Sequence, residues 1–396
     1  MFSILRQRSV QTLLVLGLYV CFAAYLPLIA HQSFYTISLF IKDLLGWMIP
    51  LTVGFFIANT VAGFERKAPL FIITIVCFEA FSNFSSVTYS YAWGHALIDR
   101  LPSLQATAFD ENFQTLWRLP FIKPAWWAAS KGCLAGLALG CFSGFVRISS
   151  LRSFLSIGKR IAQGLLTQFF GRLIPFFILG FVAHMYCSGI LVHVFKNYAT
   201  ILLWLLLMTF VYMAVIFMVG SGWRLKVMVR HIRNLLPAWG IALSSGCSMS
   251  TMPWTITGAS KNLEDPHLAE AIIPATINIQ QVGDCITHAF LCFVIYTQFF
   301  GSPPPFQMWM TFTFIFVLAR FATAAVLGGA VFIMLPIYEQ YLNFTPDMIA
   351  IILALNVVLD PFITSSNVLA NGALCRVFEK IWAKVKHQRF YSKKLS

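Results

Sequence analysis

Asp360-Pro361-Phe362-Ile363-Thr364-Ser365-Ser366-Asn367-Val368-Leu369-Ala370-Asn371 interrupts a stretch, about Pro346–Cys375, that is otherwise apolar enough to cross a bilayer. Two further polar breaks precede it in the C-terminal half. They are Ser244-Ser245-Gly246-Cys247-Ser248-Met249-Ser250-Thr251-Met252-Pro253 and Pro274-Ala275-Thr276-Ile277-Asn278-Ile279-Gln280-Gln281. Carboxylates, amides and non-helical backbone are expensive in hydrocarbon unless they line a site that uses them. Short hydrophobic segments interrupted by Gly and Pro are the sequence pointer to a transporter's midplane binding site.

Composition fits that setting. The chain has 396 residues, of which 59% are hydrophobic and only 11% charged, against about 25% charge in a soluble domain. It reads as a polytopic, all-α membrane protein. The spans fall at about Val10–Ala30, Leu44–Phe64, Pro69–Trp93, Ala128–Val146, Ile161–His193, Asn197–Gly220, Leu268–Phe300 and Pro346–Cys375. Two shorter apolar pieces, about Leu235–Ala259 and Met308–Tyr338, carry internal breaks and read as re-entrant hairpins. The N-terminal run is too long for a signal peptide's apolar core and is kept as the first span.

The formal net charge is +14, and its placement sets the topology. Arg6/Arg8, Arg66/Lys67, Arg147 to Arg160, Arg224 to Arg233 and the basic tail from Arg376 all face one side if the N-terminus is inside. That arrangement obeys the positive-inside rule and puts both termini in the cytoplasm of a cell-membrane protein. No basic soluble domain exists to hold nucleic acid. The nine cysteines form no C-x-x-C pair and read as small buried residues, neither a disulfide framework nor a metal site. No nucleophile–base pairing is visible, so an enzyme is not expected.

The order of motifs resembles the dicarboxylate/amino acid:cation symporter family, which includes the glutamate and aspartate transporters. Ser248-Met249-Ser250-Thr251-Met252-Pro253 is similar to the family's serine-rich hairpin, S-S-S-x-T-L-P. Ala275-Thr276-Ile277-Asn278-Ile279-Gln280 is similar to A-T-I-N-M-D. Ala322-Thr323-Ala324-Ala325-Val326-Leu327-Gly328-Gly329-Ala330 resembles G-T-A-G-V-P-G-A-G, and Asp360 to Asn371 follows D-x-x-R-T-x-x-N-V-x-G-D. The resemblance implies a homotrimer of eight transmembrane helices and two re-entrant hairpins with an elevator mechanism. It implies a scaffold in residues 1–67 and 95–195, a transport unit in 68–94 and 196–376, and a basic cytoplasmic tail in 377–396.

By the same resemblance, Asp360 binds the substrate's α-amino group. Thr364 and Asn367, at i+4 and i+7 on the same helix face, hold its carboxylate and main-chain groups together with Ser248, Met249 and Ser250 of the first hairpin. Val282, Ile363, Val326 and Ala330 complete the substrate site. Ile363 stands where acidic-substrate members carry an Arg. Without that fork a second substrate carboxylate goes unpaired at a cost of several kcal/mol, so a neutral amino acid is expected. Arg320, at the entrance of the second hairpin, is a basic side chain that could reach the site from another element.

The cation positions depart further. Asn278 and Asn367 remain, whereas the family's two sodium-binding carboxylates correspond to Gln280 and Asn371. Ser85 and Ser86 are candidates for the hydroxyls of one site. Amide oxygens coordinate sodium but do not cancel its charge in a low-dielectric site. Gln280, Asp284 and His288 form an i, i+4, i+8 stripe that could carry a proton, and Glu79 is a further intramembrane carboxyl. The expected partners are an amino acid, the bilayer and a coupling Na+ or H+, with no other cofactor. An exchanger also fits. So does a relative that has lost coupled transport and acts as an amino-acid sensor or uncoupled anion pathway.

Overall fold

A computed structural model describes residues 8–62, 69–100, most of 115–146, 149–187, 190–246, 248–277, 279–323 and 330–395. Among them the secondary structure is helical, with no strand. The chain divides into two compact units, each described on its own terms.

The first unit comprises residues 1–63, 94–202 and 291–359. It contains α1 (Arg8–Phe22), α2 (Leu28–Ala62), α4 (Ala129–Phe145), α5 (Ser149–Gly164) and α6 (Gly171–Cys187). Between α1 and α4 in the chain comes α3 (Pro69–Ala96), most of which belongs to the other unit. A π-helical segment, Leu165–Phe170, joins α5 to α6. The long α2 is the centre, with α4, α5 and α6 against it. Small residues set the spacing. A methyl placed on Gly132 would come 2.1 Å from the Pro50 carbonyl oxygen, and one on Gly180 would come 2.1 Å from that of Phe34. These helices therefore touch backbone to backbone, the usual device where hydrocarbon outside gives no hydrophobic push between helices. Ser38, in α2, donates to the carbonyl of Phe177 at 2.7 Å across the α2–α6 contact.

The second unit comprises residues 64–93, 203–290 and 360–396. It holds most of α3, the later part of α7 (Ile190–Gly220), α8 (Leu225–Ser245), α9 (Ser248–Ser260), α10 (His267–Thr276) and the start of α11 (Val282–Phe300). After α11 the chain runs through α12 (Phe306–Thr323), α13 (Ala330–Leu342) and α14 (Pro346–Leu395). The latter half of α14, which continues through the basic tail, belongs to the second unit. The α12–α13 pair, the second broken piece of the sequence, packs together within the first unit.

Polar pairing closes one end of the second unit. The Glu379 carboxylate accepts from the backbone N–H groups of Glu264 and Asp265 at 2.9 and 2.8 Å. Arg376 bridges Glu379 and Glu264. The Arg376 hydrogen bond and charge hold the exposed Glu264 carboxyl below its ordinary range.

Two helical segments are by themselves long and apolar enough to cross a bilayer, Thr200–Gly220 and Val282–Phe300, among the described residues. A bent pair in α14, Pro346–Asn356 with Val358–Val385, makes a third if it is counted as one span. Shorter apolar helices occur at Leu14–Tyr25, Pro50–Asn59, Pro175–His184 and Phe306–Phe321. Prolines 50 and 175 lie inside the elements read from the sequence as spans two and five, and each removes one ladder hydrogen bond there. Span seven is interrupted at the polar break read from the sequence. It is not one helix: α10 ends at Thr276 and α11 begins at Val282, with a non-helical break between them.

Backbone contact at Gly132 predicts a clear contrast. Gly132→Ala should destabilise the purified protein by about 1–3 kcal/mol, the range for overpacking. Gly17→Ala, where nothing lies within 4 Å, should be neutral or stabilising by up to about 1 kcal/mol. Thermal unfolding in detergent measures both, and equal effects would contradict the packing described.

Candidate functional site

The first hairpin is built by α8 and α9, which pack along each other and are joined by only two residues. Gly246 makes the turn in the left-handed region, at φ 59°, and its N–H closes α8 on the Ala242 carbonyl at 2.9 Å. A side chain there would be strained, which is why the tip carries glycine. Ser248 and Met249 open α9 and are partly and well exposed, respectively. Thr251 is fully buried and donates to the Ser248 carbonyl at 2.7 Å. Ser250 lies in α9, but its side chain is outside the described residues, as are Cys247 and Asn278.

The tip meets the last helix. A methyl on Gly246 would lie 3.6 Å from Oδ2 of Asp360, so the carboxylate sits directly against the turn. Asp360 lies just beyond the 63° bend in α14. The bend follows from Pro361, whose ring cannot donate to the carbonyl four residues earlier, at Val357, and clashes with it. Ile363, 2% exposed, and Thr364 are buried one turn on.

Span seven contributes the break. Asn83 of α3 holds it from one side: its Nδ2 donates to the Ile279 carbonyl at 3.0 Å, and its Oδ1 accepts from Gln281 N–H at 3.2 Å. Asn367 of α14 holds the start of α11. Its Oδ1 accepts from the N–H groups of Gly283 and Asp284 at 2.8 and 3.3 Å, and its Nδ2 donates to Asp284 Oδ2 at 2.6 Å. A Cβ on Gly283 would meet the Ile363 carbonyl oxygen at 2.6 Å, so α11 and α14 touch at that point. Val282 is fully buried beside it. Asp284 lies within electrostatic range of Asp360.

The second unit therefore gathers most of the residues that the sequence singled out. Asp360, Ile363, Thr364, Asn367, Val282, Asp284 and the Gly246 tip belong to one unit. Gln280 and Asn371 are 1% and 2% exposed in the same unit. His288 is buried one turn beyond Asp284 on α11. Other named residues have contacts of their own. Ser85 donates to its own helix, to the Phe81 carbonyl, and Ser86 to Ser82 and to the Tyr212 hydroxyl. Val326 lies outside the described residues, and Ala330 opens α13 with no side chain described. Arg320 is a buried residue of the first unit with its guanidinium stacked over the Phe316 ring at 4.6 Å. Asn83 was not among the candidates read from the sequence; it is two positions from Ser85, on a different face of the same helix.

A family model described as "Sodium:dicarboxylate symporter family" matches residues 132–381. The chain belongs to this family. The match covers more than half of the chain and includes α8 to α11 and the Asp360–Asn371 segment. The symporter is thus a multi-pass membrane transporter of the sodium:dicarboxylate and amino-acid type and not a member of an enzyme family. Among curated proteins, none matches it.

Asn83 gives this site its sharpest test. Asn83→Ala leaves the Ile279 carbonyl and Gln281 N–H without their partners, at about 1–3 kcal/mol for each orphaned group. Ser85→Ala, which removes only a bond within its own helix, should stay within about 0.5 kcal/mol. Thermal unfolding in detergent compares them. Equal stabilities would mean that the break does not depend on Asn83.

Proposed function

We propose that this symporter is a secondary transporter of a neutral amino acid, with Asp360 binding the substrate ammonium. The observation that carries the reading is the Asp360 carboxylate against the Gly246 turn, with buried Ile363 one turn away. A carboxylate at that place offers a cationic group a partner within a bilayer, where lone charges are costly. The α9 N-terminus suits a substrate carboxylate, because its first N–H groups lack helical partners. Ile363 supplies no guanidinium for a second carboxylate, so glutamate and aspartate bind at a penalty. Thr364 on α14 and Ser248 and Met249 on α9 frame the zwitterion. Val282, fully buried at the start of α11, supplies an apolar wall.

Transport on this reading follows an elevator mechanism in a homotrimer, with α3, the later part of α7, both hairpins, α10, α11 and α14 as the moving body. Both termini are cytoplasmic and the membrane is the cell membrane. Coupling is to Na+ or H+, or the protein exchanges amino acids. A second reading is favoured by Gln280 and Asn371, which stand where family carboxylates bind cations. On that reading the protein is a sensor or an uncoupled anion pathway.

Proteoliposomes with defined ion gradients decide between them. Uptake or exchange of alanine or serine is expected, and its absence under sodium gradients, proton gradients and counterflow alike would favour the sensor. Glutamate should compete at least tenfold more weakly than serine; equal competition would refute the argument from Ile363. Asp360→Asn should weaken amino-acid binding about 10- to 100-fold, as for loss of a charge-assisted hydrogen bond worth about 1.5–3 kcal/mol, with folding intact.

A further inference from the structure

The cation carboxylates missing from Gln280 and Asn371 have a replacement that no motif names. Glu79 lies in the middle of α3, 2% exposed, and its Oε2 finds no hydrogen-bond partner among the described residues. Both side-chain atoms of Gln280, and Nδ2 of Asn371, are in the same condition. These are buried polar groups of three separate chain segments. Each such orphan costs about 1–3 kcal/mol, more for a charge, and native structures keep them only where something else satisfies them.

The connections around them place them together. On α3, Ile75, Glu79 and Asn83 recur every fourth residue and so share one face. Ile75 packs in one cluster with Ile273, Ile277 and Cys375. Asn83 bonds Ile279 and Gln281, on either side of Gln280. Glu79, between them, therefore faces the break of span seven and the Asn371–Cys375 turn of α14. Its carboxylate lies within electrostatic range of the Cys375 thiol, one turn from Asn371. Gln280 is tied to the same place by its N–H, which donates to the Thr276 carbonyl at 2.7 Å. Thr276 in turn lies 2.8 Å from the Asn371 side-chain amide.

The chemistry of that last contact fixes which Asn371 atom is free. Thr276 Oγ1 lies 2.9 Å from the Ile272 carbonyl and 2.8 Å from the Asn371 amide oxygen as placed. A hydroxyl has one hydrogen and cannot donate to both. Donation to Ile272 with the Asn371 amide turned over satisfies every atom: Nδ2 donates to Thr276, and Oδ1 takes the unpartnered position. Asn and Gln amides are interchangeable in this way. The unpartnered atoms of these three buried side chains then include three oxygens: a carboxylate oxygen of Glu79, the amide oxygen of Gln280 and that of Asn371. Oxygen donors with a single negative charge suit a hard monovalent cation.

We propose that Glu79, Gln280 and Asn371 form a sodium site, in which the charge-bearing ligand has moved from spans seven and eight to span three. The proposal adds to the transporter reading, and rests on it only for what the ion does. The ion neutralises Glu79 without leaving a net charge in the membrane. Because Asn83, one turn along α3, also holds the break, ion occupancy fastens α3 to the segment that leads into α11 and Asp284.

Sodium alone, with no amino acid, is the probe. The full-length protein in detergent is melted at fixed pH in NaCl or in KCl of equal ionic strength. Sodium should raise the melting temperature by several degrees over potassium, saturably, as binding to the folded state requires. Glu79→Gln should abolish that difference. The exchange variant Glu79→Gln with Gln280→Glu, which returns the carboxylate from the other side of the same space, should restore it. A wild-type protein indifferent to sodium, or a Glu79→Gln protein with the full sodium response, would overturn the site. So would an exchange variant that folds but stays unresponsive, or a response to pH alone, which would make Glu79 a proton carrier. Since no substrate is present, this result is independent of uptake: sodium binding with no amino-acid transport would refute the proposed function and leave the site standing.

Discussion

Everything at the site depends on how a stretch of unwound backbone is kept inside a membrane helix. Between Thr276 and Val282 the regular helix stops; the Ile279 and Gln280 N–H groups still bond the Thr276 carbonyl, and the groups beyond them, in hydrocarbon, have no water to turn to. Two asparagines take the place of water. Asn83 spans the break with one acceptor and one donor, and Asn367 receives the first N–H groups of the resumed helix. An amide side chain suits this task because it presents both polarities at fixed separation, as a peptide group does. Both come from other helices, so the break is satisfied only when α3, α11 and α14 are packed. The irregular backbone and the tertiary arrangement of the unit are therefore one constraint.

The same arrangement explains where glycine is required. At Gly246 the demand is conformational, a left-handed turn too tight for a side chain beside Asp360. At Gly283 it is spatial, because the α14 backbone at Ile363 occupies the place of a Cβ. In the first unit Gly132 and Gly180 serve helix packing alone. A glycine thus marks a hairpin turn beside a carboxylate in one place and plain close packing in another. Only the neighbouring carboxylate distinguishes them.

How much of this the sequence held depended on the range of the interactions. Local features were legible: α3 begins at the expected Pro69, α4 lies within one residue of the expected span, and the Ser/Gly-rich tip stands between two packed helices. The family and the gathering of Asp360, Ile363, Thr364 and Asn367 on one helix were legible too, since i+4 spacing is a local rule. The polar break in span seven was legible as well, but not what holds it. Hydropathy sums along the chain, and 274–281 is polar by only a few residues, whereas the cost of opening it is met by Asn83, nearly two hundred positions away. Asn83 went unnamed for the same reason. Periodicity supplies the pitch of a helix but not its phase, and in an apolar helix no wet face fixes the phase.

Charge accounting joins these observations. Relative to the motif that the chain resembles, the symporter exchanges an Arg for Ile363 and two acids for Gln280 and Asn371. Elsewhere in the same unit it carries Glu79 and Asp284. In a medium where an uncompensated ion costs several kcal/mol, such exchanges are not independent of one another. Losing the guanidinium removes the partner of a second substrate carboxylate, which shifts the expected substrate to a zwitterion. A zwitterion brings no net charge, so each remaining carboxylate must find its own cation. Asp360 lies against the Gly246 turn, Asp284 has the Asn367 amide at hydrogen-bond distance, and Oε2 of Glu79 has no hydrogen-bond partner among the described residues, with Gln280 and Asn371 as the amides of its proposed site. An amide pair without a charge is what a bound sodium ion would complete. On this argument the altered motif is a redistribution of charge among helices, and a loss of cation binding does not follow from the loss of the familiar acids.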